Sequence, residues 1–153
     1  MIMKKLVFTI ATFCSVNAQA QWVVKKLDNG FDKPTKMAYT EDGQRPFLKL
    51  EQFEGAAVFL LKGVYFCGSP IFIELSFQVN GVNKVYGEIC ELNTDETVAF
   101  ITWDLKNEEY YNDFKNCNSL KLRITDSSCE ETGEIYTFKM SGSTAAANYV
   151  MTP

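Results

Sequence analysis

The strongest constraint on the fold is an alternating segment, Ile71–Val79 (IFIELSFQV), in which every odd-numbered position is apolar. A period of two places these side chains on one face of a β-strand. The dipeptide Asn80-Gly81 follows directly, and both residues tolerate the positive φ of a tight two-residue hairpin turn. We therefore predict a strand over Ile71–Val79 that reverses onto a second strand over Lys84–Cys90.

Similar β-strand patterns recur along the chain. Alternating or β-rich runs predict further strands at Trp22–Leu27, Lys36–Thr40, Phe47–Phe53, Ala56–Lys62, Val98–Leu105, Leu120–Ile124 and Tyr136–Met140. Many short strands in one small chain favour a mainly β, single-domain antiparallel β-sandwich, either immunoglobulin-like or jelly-roll-like. Six aromatic residues are expected to fill its core: Phe53, Phe59, Tyr65, Phe66, Phe72 and Phe77.

Two segments interrupt the β pattern. In 107–116 (NEEYYNDFKN), early acidic residues and aromatic residues at helical spacing predict one short helix across an open end of the sheet. Near the end of the chain, Ser141–Thr144 predicts a turn, and Ala145–Ala147 favours about one helical turn after it.

The first twenty residues have the organisation of a secretory signal peptide. Lys4 and Lys5 precede the apolar run Leu6–Cys14, and Ala18-Gln19-Ala20 is a small-x-small cleavage site. We expect cleavage before Gln21, which leaves residues 21–153 as one exported domain in the periplasm or the medium. No run in that domain approaches the roughly 18 apolar residues of a membrane-spanning helix.

Cleavage would remove Cys14 and leave Cys67, Cys90, Cys117 and Cys129. Four cysteines in an exported domain predict two disulfides, for which three connectivities exist. We expect the sequential pairs Cys67–Cys90 and Cys117–Cys129, because each closes a short loop between neighbouring strands. A zinc site is not expected, since the chain has no histidine and no C-x-x-C motif.

Charge and composition argue against several function classes. The net charge is −4 and the two arginines, Arg45 and Arg123, are isolated, so no basic stripe is present for nucleic acid. The absence of histidine excludes Ser-His and Cys-His nucleophile pairs. A hydrolase would have to use carboxylates, for which the candidates are Glu88, Glu91, Glu130 and Glu134. A calcium site at Asn93/Asp95 or Asp126/Glu130 is a further alternative, although neither has the full spacing of a calcium loop.

Four aromatic residues are tentative binding residues: Trp22, Trp103, Tyr110 and Tyr111. Exposed Trp and Tyr side chains stack on sugars and are enriched at the centres of protein interfaces. The alternative is structural, with Trp103 in the core and the tyrosine pair anchoring the helix.

Several positions resemble small exported β-sandwich proteins of Gram-negative bacteria, including accessory proteins encoded beside type VI secretion systems. They are Trp22, Phe31-Asp32, Phe66-Cys67 and the closing segment Tyr136–Gly142 with Ser143–Ala146. The resemblance implies an accessory role in the envelope or outside the cell and supplies no catalytic residue.

From the sequence we expect a non-enzymatic exported domain that binds an envelope or secreted protein, without a cofactor. A carbohydrate- or small-ligand-binding module that uses Trp103 with Tyr110 and Tyr111 is the alternative, and a carboxylate-based hydrolase is the more remote one.

Overall fold

A computed structural model of the chain describes residues 21–41, 46–68, 70–125 and 133–153. The protein is mainly β, as predicted. Its strands are β1 (Gln21–Leu27), β2 (Thr35–Glu41), β3 (Phe47–Phe53), β4 (Ala56–Lys62), β5 (Ile71–Val79), β6 (Val82–Leu92), β7 (Val98–Thr102), β8 (Ser119–Thr125) and β9 (Ile135–Lys139). The helices are α1 (Tyr111–Asn116) and α2 (Ser143–Met151), and a 3-10 turn spans Leu105–Asn107.

All nine strands join one open antiparallel sheet in the order β1-β2-β3-β4-β7-β6-β5-β8-β9. The predicted hairpin is confirmed: Val79 pairs with Val82 around Asn80 and Gly81, whose φ angles are 51° and 78°. The pairing continues to Ile71 opposite Cys90. The turn residues therefore set the register of the longest strand pair.

The sheet has a narrow seam between β6 and β7. These strands pair only at Glu91–Phe100 and Leu92–Ala99, whereas β5 and β6 pair along the whole of β5. We call β1–β4 with β7 the first half of the sheet, and β5, β6, β8 and β9 the second half.

One hydrophobic core joins the two halves. Phe114 of α1 lies 5.3 Å from Phe59 in β4, between ring centroids, and Tyr110 lies 5.5 Å from Phe77 in β5. Ala147 and Val150 of α2 belong to the same buried cluster. Helical side chains thus fill space between the halves of the sheet.

The helices differ from the sequence prediction in length and number. The segment predicted as one helix over 107–116 becomes the 3-10 turn and α1, and α2 is nine residues long instead of a single turn. Its length is consistent with packing, because Ala146, Ala147 and Val150 are buried along one face. None of the helices within the described ranges has the length and apolar character needed to cross a membrane.

Half of the predicted aromatic core is wrong. Phe59, Phe66 and Phe77 are buried, but Phe53, Tyr65 and Phe72 are exposed. Phe72 and Phe77 occupy opposite faces of β5, since they are five positions apart and strand faces alternate.

The two predicted disulfide pairs are also wrong, because Cys90 and Cys117 are buried free thiols. Cys90 faces the core from β6, whereas Cys67 lies exposed in the loop before β5. The Cys117 thiol donates a hydrogen bond to the Phe114 carbonyl oxygen at 3.5 Å. The seven residues of β8, about 20 Å of extended chain, follow it before the segment that contains Cys129. Cys129 itself lies outside the described residues.

Candidate binding surface

Trp103 lies at the centre of an exposed aromatic cluster on the first half of the sheet. Its indole ring stacks on Phe100 of β7, with ring centroids 4.6 Å apart and planes 9° apart. Phe53, the last residue of β3, approaches edge-on at 6.4 Å. We call Phe53, Phe100 and Trp103 the Trp103 platform. Phe53 is 55% exposed and Trp103 is 50% exposed, so solvent or a ligand has access to both rings.

Local hydrogen bonds hold the backbone around Trp103. The Thr102 hydroxyl donates to the Glu108 carboxylate and accepts the Asp104 N–H at 3.3 Å. The Asn107 side-chain amide donates to the Asp104 carboxylate at 2.5 Å. These contacts link the end of β7 to the 3-10 turn, so Trp103 is presented from a constrained loop.

A bulge in β7 changes the side-chain alternation just before Trp103. Leu60 of β4 pairs with Phe100, but the next residue back, Phe59, pairs with Thr102, which leaves Ile101 as the additional residue. Ile101 is buried beside the core. Bulges redirect the side chains that follow them, and here Thr102 is buried and Trp103 after it is exposed.

The outer face of the first half is apolar beyond the platform. Met37, Val58 and Leu60 are buried, yet they are absent from the main core cluster that contains their neighbours Ala38, Phe59 and Leu61. Alternation along β2 and β4 accounts for this separation, because adjacent residues point to opposite faces. Strand β4 therefore carries buried apolar residues on both faces.

An ion pair covers part of this outer face. Lys49 and Glu51 lie opposite Leu60 and Val58 in the β3–β4 register, and their side chains are 2.7 Å apart. The Lys49 side chain is only 14% exposed, which indicates that its methylene groups pack against the apolar surface. The ion pair borders the Trp103 platform with one charge of each sign.

The other three tentative binding residues are not part of this surface. Trp22 is half-buried against Phe114, with ring centroids 5.9 Å apart. Tyr110 is fully buried, and burial with the nearby Glu88 charge raises its pKa. Tyr111 is half-buried, and the Lys115 ammonium lies 4.2 Å from its ring centroid. Of the four, Trp103 alone combines large exposure with exposed aromatic neighbours.

The predicted hydrolase carboxylates do not share one face. Glu88 and Glu91 are three positions apart in β6 and so point to opposite faces. Burial and the Glu108 charge raise the pKa of Glu88. Glu134 is exposed and accepts a hydrogen bond from the Tyr136 hydroxyl. Glu130 lies outside the described residues.

The described part of the chain holds no group of three or more Cys, Asp or Glu residues placed to bind a metal ion. At the first calcium candidate, the Asn93 side chain instead accepts the N–H groups of Thr97 and Val98 at 2.8 and 2.9 Å. These bonds close a turn. The second candidate, Asp126/Glu130, lies outside the described residues.

Comparisons with protein-family models, with curated proteins and with solved structures found no match for this chain.

Sequence reasoning missed Phe53 and Phe100 as members of the surface. Aromatic composition predicts a core position for Phe53, but its place in the chain indicates otherwise. Phe53 directly precedes Glu54-Gly55, which form the turn between β3 and β4 with φ of 48° and 85°. A residue next to a hairpin turn lies at the end of the sheet, where a side chain is less completely covered.

Proposed function

We propose that this protein is a non-enzymatic exported domain that binds an envelope or secreted protein through the Trp103 platform and the adjoining outer face of β2–β4 and β7. The observation that carries the proposal is the packing of Trp103 between Phe100 and Phe53 while half of its surface stays exposed. Large aromatic side chains at fixed positions contribute strongly to protein interfaces, because they bury much apolar area with little loss of rotamer freedom.

The composition of the surrounding face supports a protein partner. The accessible apolar area of this face is the Trp103 platform, while Met37, Val58 and Leu60 on the same face are already covered. An exposed aromatic area beside charges such as Lys49 and Glu51 is typical of interaction sites. A bound partner would bury more of the outer face, part of which the Lys49 side chain already covers.

Export to the periplasm or the medium is part of the same proposal and rests on the signal-peptide pattern in residues 1–20. We also propose that the two halves of the sheet act as the two layers of a sandwich-like body. The seam of two residue pairs between β6 and β7 and the single core shared by both halves support this arrangement.

The experiment is site-specific photo-cross-linking in cells that make the tagged protein. A benzophenone amino acid replaces Phe53 in one variant and Phe72 in a control variant, since Phe72 is an exposed aromatic residue on the second half of the sheet. We expect one discrete cross-linked partner from position 53 and none from position 72. The same partner must be lost from wild-type pull-downs when Trp103→Ala is introduced. Equal cross-linking at both positions, or a partner retained by Trp103→Ala, would contradict the proposal.

A glycan is the second candidate ligand, favoured by the stacked, half-exposed indole of Trp103. Sugar rings bind such aromatic faces through their C–H groups. A Trp22→Phe variant makes Trp103 the sole tryptophan of the mature chain, so its fluorescence reports on the platform alone. A saturable emission change with one glycan would favour this candidate, and a flat response across a broad panel would eliminate it.

A further inference from the structure

A separate cleft lies where the strands β1–β3 pass the end of α2. Its volume is about 680 Å³, within the usual range for small-molecule sites. Lys26 of β1, Lys36 of β2 and Gln52 of β3 line it, together with Lys33 from the loop between β1 and β2. Three lysines thus come to one cleft in a chain whose net charge is −4.

Two of these lysines are placed against each other. Lys26 and Lys36 are direct partners in the β1–β2 register. Like charges at opposed positions of a strand pair repel and reduce stability. Among the residues that the structure describes, none of the three lysines forms an ion pair with an Asp or Glu side chain. The cleft therefore places three ammonium groups near a single acidic side chain of the described residues, Glu54.

The three lysines differ in the hydrogen bonds that their ammonium groups already make. The Lys36 ammonium donates to the Thr152 and Pro153 carbonyl oxygens at 2.7 and 3.2 Å, so it stabilises the end of α2. Lys26 and Lys33 make no hydrogen bond to any described residue, which leaves their ammonium groups available to a ligand. Glu54 is the one acidic side chain among the described residues that line the cleft.

We propose that this cleft binds a small phosphate monoester through Lys26 and Lys33, with Lys36 adding to the local positive potential. A phosphate monoester carries about −1.5 to −2 charges at neutral pH, which suits two free ammonium groups. Lysine is a common point-charge ligand of phosphate. The cleft volume exceeds the need of a bare phosphate ion, so the organic part of the ester would also have room in the cleft.

The test is a titration of the mature protein with glucose 6-phosphate, with glucose as the uncharged comparison, followed by calorimetry and by backbone amide NMR. We expect saturable binding of glucose 6-phosphate, shifts of the Thr35 and Gly55 amides, and no response to glucose. Lys26→Gln/Lys33→Gln should weaken the affinity by at least about tenfold. Lys121→Gln on β8 is the matched control and should leave the affinity unchanged.

Protonation and lipid presentation provide two further readouts. Binding should weaken between about pH 7 and pH 5, because the second pKa of a phosphate ester is near 6.

Vesicles that contain a phosphatidic acid distinguish the source of the phosphate. Binding to these vesicles as well as to the free ester supports a lipid-borne phosphate. Binding to the ester alone supports a soluble one. Binding to vesicles without binding of the ester, an equal loss in Lys121→Gln, or no saturable binding up to about 10 mM ester would overturn the proposal.

Discussion

The carboxylate of Asp113 lies 2.8 Å from the ammonium group of Lys84. Its second oxygen accepts a hydrogen bond from the Tyr86 hydroxyl at 2.5 Å. Asp113 is in the first turn of α1 and is buried, whereas both partners belong to β6. These two contacts of Asp113 therefore connect α1 to the β5–β6 hairpin.

Loss of this carboxylate should destabilise the protein. In Asp113→Asn the charge that faces Lys84 and Tyr86 disappears, and we expect the free energy of unfolding to fall by about 1–2 kcal/mol. Urea denaturation followed by circular dichroism measures the change. Asp95→Asn, in an exposed turn, is the control and should differ from wild type by less than about 0.5 kcal/mol. Equal effects of the two variants would contradict the assignment.

The same contact predicts a pH dependence. The hydrogen bonds from Lys84 and then Tyr86 lower the pKa of Asp113 below its ordinary value. A depressed carboxyl pKa contributes stability that is fully present above the unfolded value, about 3.9, and is lost as pH falls through the folded value. The stability difference between wild type and Asp113→Asn should therefore shrink as pH falls below about 4. A difference that stays constant from pH 7 to pH 2 would refute this origin.

The hydrogen bond of Tyr86 also predicts a loss of stability at alkaline pH. Its hydrogen bond to the Asp113 carboxylate raises the pKa of the phenol to about 12. The neutral phenol is favoured in the folded state, so its contribution is complete below the unfolded value of about 10 and is lost as pH rises through 12. Tyr86→Phe should reduce stability at pH 8 and abolish this alkaline dependence, as measured by denaturation at pH 8 to 12.

The two tryptophans should report different environments. In Trp22→Phe the remaining Trp103 is half exposed, so we expect red-shifted emission and efficient quenching by acrylamide. In Trp103→Phe the remaining Trp22 packs on Phe114 with its indole nitrogen buried, so emission should be bluer and quenching weaker. Identical quenching constants in the two variants would contradict the platform geometry.

The cysteines should separate into two chemical classes. Burial raises the pKa of the Cys90 and Cys117 thiols to about 12 each, so both should resist alkylation in the native protein at pH 8 and react after denaturation. Cys67 is not among the free thiols. We expect it to pair with Cys129, which is the one cysteine that then remains within residues 21–153. Peptide mass spectrometry under non-reducing conditions would refute this pairing if Cys67 appeared alkylated or joined to Cys90.

Gly87 makes room for an aromatic side chain on the outer face of the second half. A Cβ at this position would lie 2.6 Å from the tip of the Phe72 ring, so Gly87→Ala must displace that ring. We expect a loss of about 1 kcal/mol in unfolding free energy. Phe72→Ala/Gly87→Ala tests the cause, because the added methyl group should cost nothing once the ring is absent. A purely additive double mutant would show that the ring is not responsible.

The β5–β6 hairpin follows directly from the local sequence. Alternation over Ile71–Val79 and the Asn80-Gly81 turn act within about ten residues, and both the strand and its register follow from them. The other predicted strands are present as well. A mainly β fold was therefore predictable from local pattern.

The candidate surface was predictable only in part. Trp103 was a candidate from its residue type, but its neighbours Phe53 and Phe100 are brought to it from separate strands by the β3–β4–β7 arrangement. Tyr110 was also a candidate binding residue from its residue type, but it packs against Phe77 and Tyr86 in the core. Residue type alone does not distinguish these two outcomes.

The sequence by itself determined where strands begin, alternate and turn, because those preferences depend on neighbouring residues along the chain. The tertiary structure decided which face of each strand is covered, whether Cys90 and Cys117 meet a partner, and which aromatic side chains remain exposed. These outcomes depend on how α1 and α2 pack against the sheet, and that packing involves residues far apart in the chain.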